Sequence, residues 1–320
     1  MSDVCENRQA KGKELRAVVV ETIQDLMKTD DKIVALEADL GGASKFTDIQ
    51  KSNPDRFIQC GIAEANMVGV SAGLSIGGFK PFLHTFGPFA TRRVFDQVFL
   101  AGGYSFNTLN IYGSDPGFCA GPNGGTHTTW EDVALMSTIP GSVICDGADA
   151  VQLEWIVREF AKTEGLHYFR ANRKAVRNFY KEGTTFEMGK GKVVKEGSDV
   201  LVITAGQILS DAMDCCEKLE KEGISCELID MFCLKPLDKE LILAEAKGKK
   251  AVVTFENHSV YGGLGSMVAS LLAEENVNVK FKRHGVDERF GQVGTQEFLQ
   301  EEFRLTAKDL EETIKKVLED

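Results

Sequence analysis

The stretch FIQCGIAEANM, Phe57 to Met67, passes from a short apolar strand into a buried helix and sets one carboxylate, Glu64, at the junction. Beyond it the helix continues VGVSAGLSI, small and aliphatic, with no charge until Lys80. An ionised glutamate in such surroundings loses hydration that must be offset by a partner, and burial favours its protonated form. Glu64 is therefore either paired or used. In an open parallel sheet ligands gather beyond the carboxyl ends of the strands, and Glu64 follows such an end, so the sheet type decides its meaning.

Reading outward, the same alternation of strand and helix persists. ELRAVVVETIQDLMKTD has helical spacing, and KIVALEADL reads as a buried strand ending near Asp39. RFIQCG is a strand, residues near 63–76 a helix, KPFLHTF a strand, TRRVFDQVFLAGG a helix stopped by glycines, and TLNIYGS a strand. SVICD and LHYFR complete the block around a helix through Trp155. A polar stretch, ANRKAVRNFYKEGTTFEMGKGKVVKEGS, separates it from a second series with strands in DVLVITAG, SCELIDM, KAVVTFEN and VNVKFKRHG. Helices fall near 207–222, 238–246 and 262–275. The pattern predicts an α/β protein of two open, mostly parallel-sheet domains, residues 1–185 and 190–320. TAKDLEETIKKVLED at the end reads as a solvated amphipathic helix.

The 320 residues, 43% hydrophobic and 27% charged, describe a soluble globular chain, and a net charge of -11 argues against nucleic acid as a main partner. The N-terminus has no apolar core of the kind a signal peptide needs, and no uncharged run reaches membrane-spanning length. A cytoplasmic location is expected, with no membrane contact. Eight scattered cysteines without a C-x-x-C pair read as reduced small hydrophobes.

Phe86, Ser114 and the glycine-rich loop SDPGFCAGPNGGTHTTWED, Ser114 to Asp132, follow strand ends as Glu64 does. A loop of that length inside a compact α/β domain is generally functional. Together they offer a desolvated carboxylate, two aromatics (Phe86 and Phe89), a loop histidine (His127), and backbone kept accessible by Gly121, Gly124 and Gly125. That is the equipment for a flat heterocycle held at one edge by a carboxyl group and stacked on a ring.

PDRFIQCGIAEANM, HTFGPFATRRVFDQV, GGTHTTWEDVALM and CDGADAVQ resemble the pyrimidine-binding domain of transketolase, while FCLKPLD and ENHSVYGGLGS resemble the C-terminal domain that transketolase shares with deoxyxylulose-phosphate synthase. Family enzymes place a diphosphate-and-magnesium domain with a Gly-Asp-Gly signature ahead of these two, and this chain has no Gly-Asp-Gly. The resemblance is thus to the C-terminal subunit of a split transketolase. It implies thiamin diphosphate (ThDP) as cofactor, with Mg2+ or Ca2+ held by a separate N-terminal diphosphate-binding subunit and no metal on this chain. It also implies a two-plus-two heterotetramer with a homodimeric core.

By the same resemblance Glu64 hydrogen-bonds N1′ of the thiamin aminopyrimidine, Phe86 and Phe89 form the aromatic wall against that ring, and His127 assists proton transfer on the substrate. Ser44 in GGASKF and Arg173 in FRANR match a serine and an arginine of the family's sugar-phosphate cluster, a task suited to the arginine fork. Asp115 stands where the family has the histidine of its GSH motif, and an anion there would repel phosphate. Asn123 stands in place of an aspartate that reads substrate hydroxyls. His84 just before the aromatic wall either faces substrate or is a satisfied histidine at a strand end. YGGLGS, Tyr261 to Ser266, reads as tight strand-to-helix packing rather than a phosphate loop, and His258 as structural.

The implied reaction is transfer of a two-carbon ketol unit between a ketose and an aldose, phosphorylated or not. Two rivals stand beside it. The E1 β subunit of a 2-oxoacid dehydrogenase shares the architecture, but such chains follow the glutamate with Gln-Gly and carry His-Ser-Gln in the later loop, where this sequence has EANM and HTT. The other rival is a non-catalytic binding or scaffolding subunit.

Overall fold

The computed structural model describes residues 3–319. The described residues form fourteen strands: β1 Lys11–Glu14, β2 Ile33–Glu37, β3 Phe57–Gln59, β4 Lys80–Phe86, β5 Leu109–Ser114, β6 Val143–Asp146, β7 Leu166–Ala171, β8 Ala175–Arg177, β9 Lys192–Lys195, β10 Val200–Thr204, β11 Cys226–Asp230, β12 Cys233–Lys235, β13 Ala251–Ser259 and β14 Lys280–Val286. A seven-stranded sheet runs β12-β6-β7-β5-β4-β2-β3 and a five-stranded sheet β14-β13-β10-β11-β9. Both are parallel except at one edge strand each, β12 on β6 and β9 on β11. The central strands β2, β5, β10 and β11 are buried at every position, as strands covered by helices on both faces must be. No helix among the described residues is long and apolar enough to cross a membrane.

The two sheets share their packing. Val34, Leu36, Ile111, Ile144 and Tyr168 of the first lie in one continuous apolar cluster with Leu201, Ile203, Ile229 and Met231 of the second. FCLKPLD sends β12 back to the first sheet, pairing Cys233 with Cys145. At the junction Arg170 is fully buried, with its Nε 2.8 Å from Asp132 Oδ2, its Nη1 3.1 Å from Asp146 Oδ2, and its Nη2 donating to the Asn257 carbonyl at 3.0 Å. Asp132 also accepts from the Tyr168 hydroxyl at 2.8 Å.

Three expectations are corrected. The connecting stretch is not merely a polar spacer, since it contains β8, paired with β1, and β9, which edges the second sheet. TRRVFDQVFLAGG is not one α-helix: a three-residue turn at Phe95–Gln97 continues as a wider π-helix, Val98–Tyr104. There Gly103 lies so close to Ile139 that an added Cβ would stand 2.4 Å from its Cγ2. The C-terminal helix, Ala307–Glu319, is amphipathic but docked, burying Leu310, Ile314 and Val317.

YGGLGS has the structural role anticipated for it. The Gly265 amide donates to the buried Glu256 carboxyl group at 2.9 Å, so the helix at Leu264–Glu274 has an internal acceptor at its start. A Cβ on Gly263 would come within 2.1 Å of Glu256 Oε2, so a larger residue there would have to displace that carboxyl group. Burial pushes the Glu256 carboxyl up to about 7 against those amide hydrogen bonds.

Candidate active site

Five neighbouring strands of the first sheet, β7-β5-β4-β2-β3, deliver the candidate residues at one edge. Arg173 follows β7; Asp115, Asn123 and His127 follow β5; Phe86 ends β4 with Phe89 one turn on; Ser44 follows β2 and Glu64 follows β3. Gly61, at φ 68°, turns the chain from β3 into the helix Glu64–Ile76, a left-handed conformation that costs glycine little.

Glu64 opens that helix and is 5% exposed. Of the two alternatives posed by its burial, the structure shows the first, a paired carboxylate: Arg93 Nη1 donates to Glu64 Oε1 at 2.6 Å. The same guanidinium lies over the Phe89 ring, 3.7 Å from its centroid, and the Arg93 side chain is 46% exposed. Phe86, Phe89 and His127 form a compact aromatic triangle, with ring centroids 6.1 Å apart for the phenylalanines and 5.5 and 5.1 Å from each to His127.

His127 is held by the glycine-rich loop. Its amide donates to the Gly124 carbonyl at 3.0 Å, and its Nδ1 shares a hydrogen bond of 2.9 Å with Thr126 Oγ1. The second half of the chain buttresses this loop: Gly125 sits against the Gly291 carbonyl, and Gln296 Nε2 donates to the Cys119 carbonyl at 2.7 Å. Partial burial, and after it the charges of Arg93, Arg173 and Arg92, hold the imidazole below its ordinary value of 6.5. His127 is therefore neutral at pH 7 and able to accept a proton. In the assembled enzyme the acid limb of kcat/KM is expected below pH 6.5. Arg92→Met should move it upward, and a limb unmoved in that variant would separate it from His127.

Arg173 and Asp115 form the second part of the site. The Arg173 amide donates to Asp115 Oδ1 at 2.9 Å and its Nε to Oδ2, and the guanidinium carbon stands 4.7 Å from the Phe86 centroid. Burial raises the Asp115 carboxyl while Arg173 opposes the shift. Asp115 is thus not a free anion facing the cleft, as its position in the sequence suggested, but the partner of the arginine.

Two other candidates lie beneath the cleft rather than in it. His84 is fully buried between the rings of Phe46 and Tyr112, and its Nε2 shares a hydrogen bond of 3.0 Å with Ser114 Oγ. Burial, and then the charge of Arg173, pushes it down to about 3, so it is a neutral prop for the strand ends. Ser44 is fully buried, its Oγ accepting from the Phe46 amide at 3.2 Å. Asn123 is exposed at the end of the short 3-10 helix Gly117–Asn123.

Sequence reading missed Arg93, Arg16 and Arg170. Arg16 donates from Nη1 to the Ala43 carbonyl at 2.8 Å and from its amide to the Arg173 carbonyl, which places it between the Ser44 turn and Arg173. Nothing in the local sequence distinguishes these arginines from surface cations. For Arg93, position 29 residues after Glu64 on an apparently ordinary helix gave no signal.

Residues 11–178 match the transketolase pyrimidine-binding domain and residues 189–310 the transketolase C-terminal domain. The chain belongs to the transketolase family. It is 41% identical to a 6-deoxy-6-sulfo-D-fructose transketolase subunit of Clostridium sp. (strain MSTE9), over 92% of each chain. It is 34% identical to an apulose-4-phosphate transketolase subunit of Phocaeicola vulgatus, over 83% of this chain and 85% of that one. Among solved structures it resembles a split gene transketolase, an inactive beta4 tetramer, with a TM-score of 0.89 and 38% identity over 96% of this chain and 99% of the other. As a family member with these two transketolase domains, the chain is placed among ThDP-dependent transferases, and the 2-oxoacid dehydrogenase reading is disfavoured.

The residues present suit the cofactor's pyrimidine. A planar, nitrogen-rich group, the Arg93 guanidinium, already stacks on Phe89 while donating to Glu64, and an aminopyrimidine would make the same two contacts. Among the described residues no cluster of three or more His, Cys, Asp or Glu could hold a metal ion.

Proposed function

We propose that this chain supplies the pyrimidine half of a ThDP site in a two-chain transketolase, and that the assembled enzyme moves a two-carbon ketol unit from a ketose to an aldose. The observation that carries the reading is the convergence of Glu64, Phe86, Phe89 and His127 at one sheet edge, with a planar cation held in the contacts expected of the pyrimidine. When bound, ThDP would supply the nucleophilic carbon and the electron sink for two-carbon transfer.

The chain's own residues have separate tasks. Glu64, at the start of its helix and facing the aromatic pair, is placed to hydrogen-bond N1′ of the pyrimidine and pass a proton along that bond. Phe86 and Phe89 hold the ring plane by stacking. His127, neutral and with Nε2 free of partners among the described residues, takes and returns a proton at the substrate's hydroxyl and carbonyl oxygens. The diphosphate and its Mg2+ or Ca2+ fall to a partner subunit, in a heterotetramer with a homodimeric core. The sugars named for the relatives end in a sulfonate or a phosphate, and Arg173 on the Phe86 wall suits such an anionic end. Working with small cytoplasmic sugars, the protein needs neither nucleic acid nor membrane.

Reconstitution tests this. The purified chain alone should show no ketol transfer, and activity should appear on adding the diphosphate-binding subunit, ThDP and Mg2+. Equal activity without the partner, or turnover of pyruvate and branched 2-oxoacids in place of ketoses, would refute the assignment. So would a mixed complex in which the near-ultraviolet circular dichroism band of bound ThDP never forms, which is the outcome a scaffolding subunit would give.

A further inference from the structure

We propose that Asp115 is a positioning residue that sets which sugars the cleft accepts, by fixing Arg173 and lowering the local charge so that a singly charged terminal group such as a sulfonate is favoured over a doubly charged phosphate. The inference rests on the function proposed above and concerns the same cleft.

Asp115 is anchored by its backbone. It follows β5 with φ at 56°, a left-handed conformation that aspartate tolerates better than most residues, and it is 1% exposed. Both carboxylate oxygens face Arg173, one on its amide and one on Nε. With Nε engaged, the fork can turn only about its remaining edge, and the two terminal amino groups find no acceptor among the described residues. Arg173 is thereby held beside Phe86, one wall ring away from His127. Its free edge is a bidentate site for an anionic oxygen pair.

The same pairing changes the charge that a ligand meets. A buried carboxylate within one guanidinium's breadth of the bound anion repels it, and the repulsion scales with the ligand's charge. A sulfonate carries one negative charge at every accessible pH, whereas a phosphate monoester with a second pKa near about 6 carries close to two at pH 7. The other charges near this end are Lys174, exposed and adjacent to Arg173; the Arg16–Glu14–Lys45 group, in which the carboxylate already pairs with both cations; and, around His127 beyond Phe86, Arg92 and Arg93, which pair with Glu131 and Glu64. Asp115 binds the arginine beside Phe86, as Glu64 binds the one over Phe89.

The test uses the assembled complex and a matched pair of ketoses, D-fructose 6-phosphate and 6-deoxy-6-sulfo-D-fructose. Asp115→Asn keeps the shape and tolerates the left-handed backbone, yet its amide cannot accept from Nε on the side where it bears hydrogens. The phosphate-to-sulfonate ratio of kcat/KM is expected to rise about tenfold in this variant, with the change in KM rather than kcat. The wild-type enzyme gives a second readout that needs no variant. The ratio cancels the enzyme's own titrations common to both sugars, so it should fall as pH rises through about 6 and phosphate gains its second charge. A ratio that instead climbs with pH, or that Asp115→Asn leaves unchanged in a folded, ThDP-binding complex, overturns the inference while leaving the transketolase reading intact. Absence of turnover with both sugars overturns that reading, and this inference with it.

Discussion

Replacing Glu64 with glutamine in the assembled enzyme is expected to lower kcat by about 10²- to 10⁴-fold, the range associated with loss of a positioned proton-transfer group. The amide is nearly isosteric and stays at the start of the same helix, so the fold has no reason to change. A glutamine can hydrogen-bond a ring nitrogen but cannot exchange a proton with it at neutral pH. In the cofactor-free chain Arg93 would also lose its charged partner at 2.6 Å and so compete less with the ring for this position. Cofactor binding, followed by calorimetry, should therefore weaken far less than turnover. Near-normal kcat with ThDP bound would remove Glu64 from the chemistry. Parallel loss of binding and rate would make it an anchor for the ring rather than a proton carrier.

Arg170→Met is expected to cost about 3–5 kcal/mol of stability, the effect of removing one member of a buried ionic group and leaving its partners uncompensated. Here two carboxylates are left, Asp132 at 2.8 Å, inaccessible to water, and Asp146 at 3.1 Å, largely buried. Asp146 is already pushed up to about 6 by burial, with Arg170 acting against the shift. Denaturant unfolding followed by circular dichroism measures the loss. The companion variant Arg170→Met with Asp132→Asn and Asp146→Asn should recover much of it, because the uncompensated charges are gone. A single variant as stable as wild type would mean that Arg170 contributes little net energy to the junction.

These residues also show where sequence is legible. The strands β4, β5 and β10 could be placed because continuous apolar runs between glycine and proline punctuation have few other uses. β8, β9 and β12 could not. Each has three or four residues, and its pairing partner lies elsewhere in the chain, so no local period marks it. Glu64 stood out because a lone charge in an apolar helix is chemically conspicuous. Arg93 did not, since an arginine on a helix is ordinary until the fold sets it over Phe89. Position also misleads about accessibility: Ser44 in the turn after β2 and His84 near the end of β4 suggest a cleft, yet both are fully buried. Asp115 and Arg173 lie 58 residues apart, and the aspartate's meaning reverses once that pairing is known.

The return of Cys233–Lys235 to the edge of the first sheet means that the two halves are not independent modules joined by a tether. A protease that nicks the connecting segment should release nothing, because the fragments remain laced together by this strand and by the apolar cluster behind it. A gene truncated at that segment would leave β6 with an unpaired backbone edge, a template for pairing with other chains. Fission and recombination in this lineage would thus be expected to respect the pair of domains as one inheritable unit.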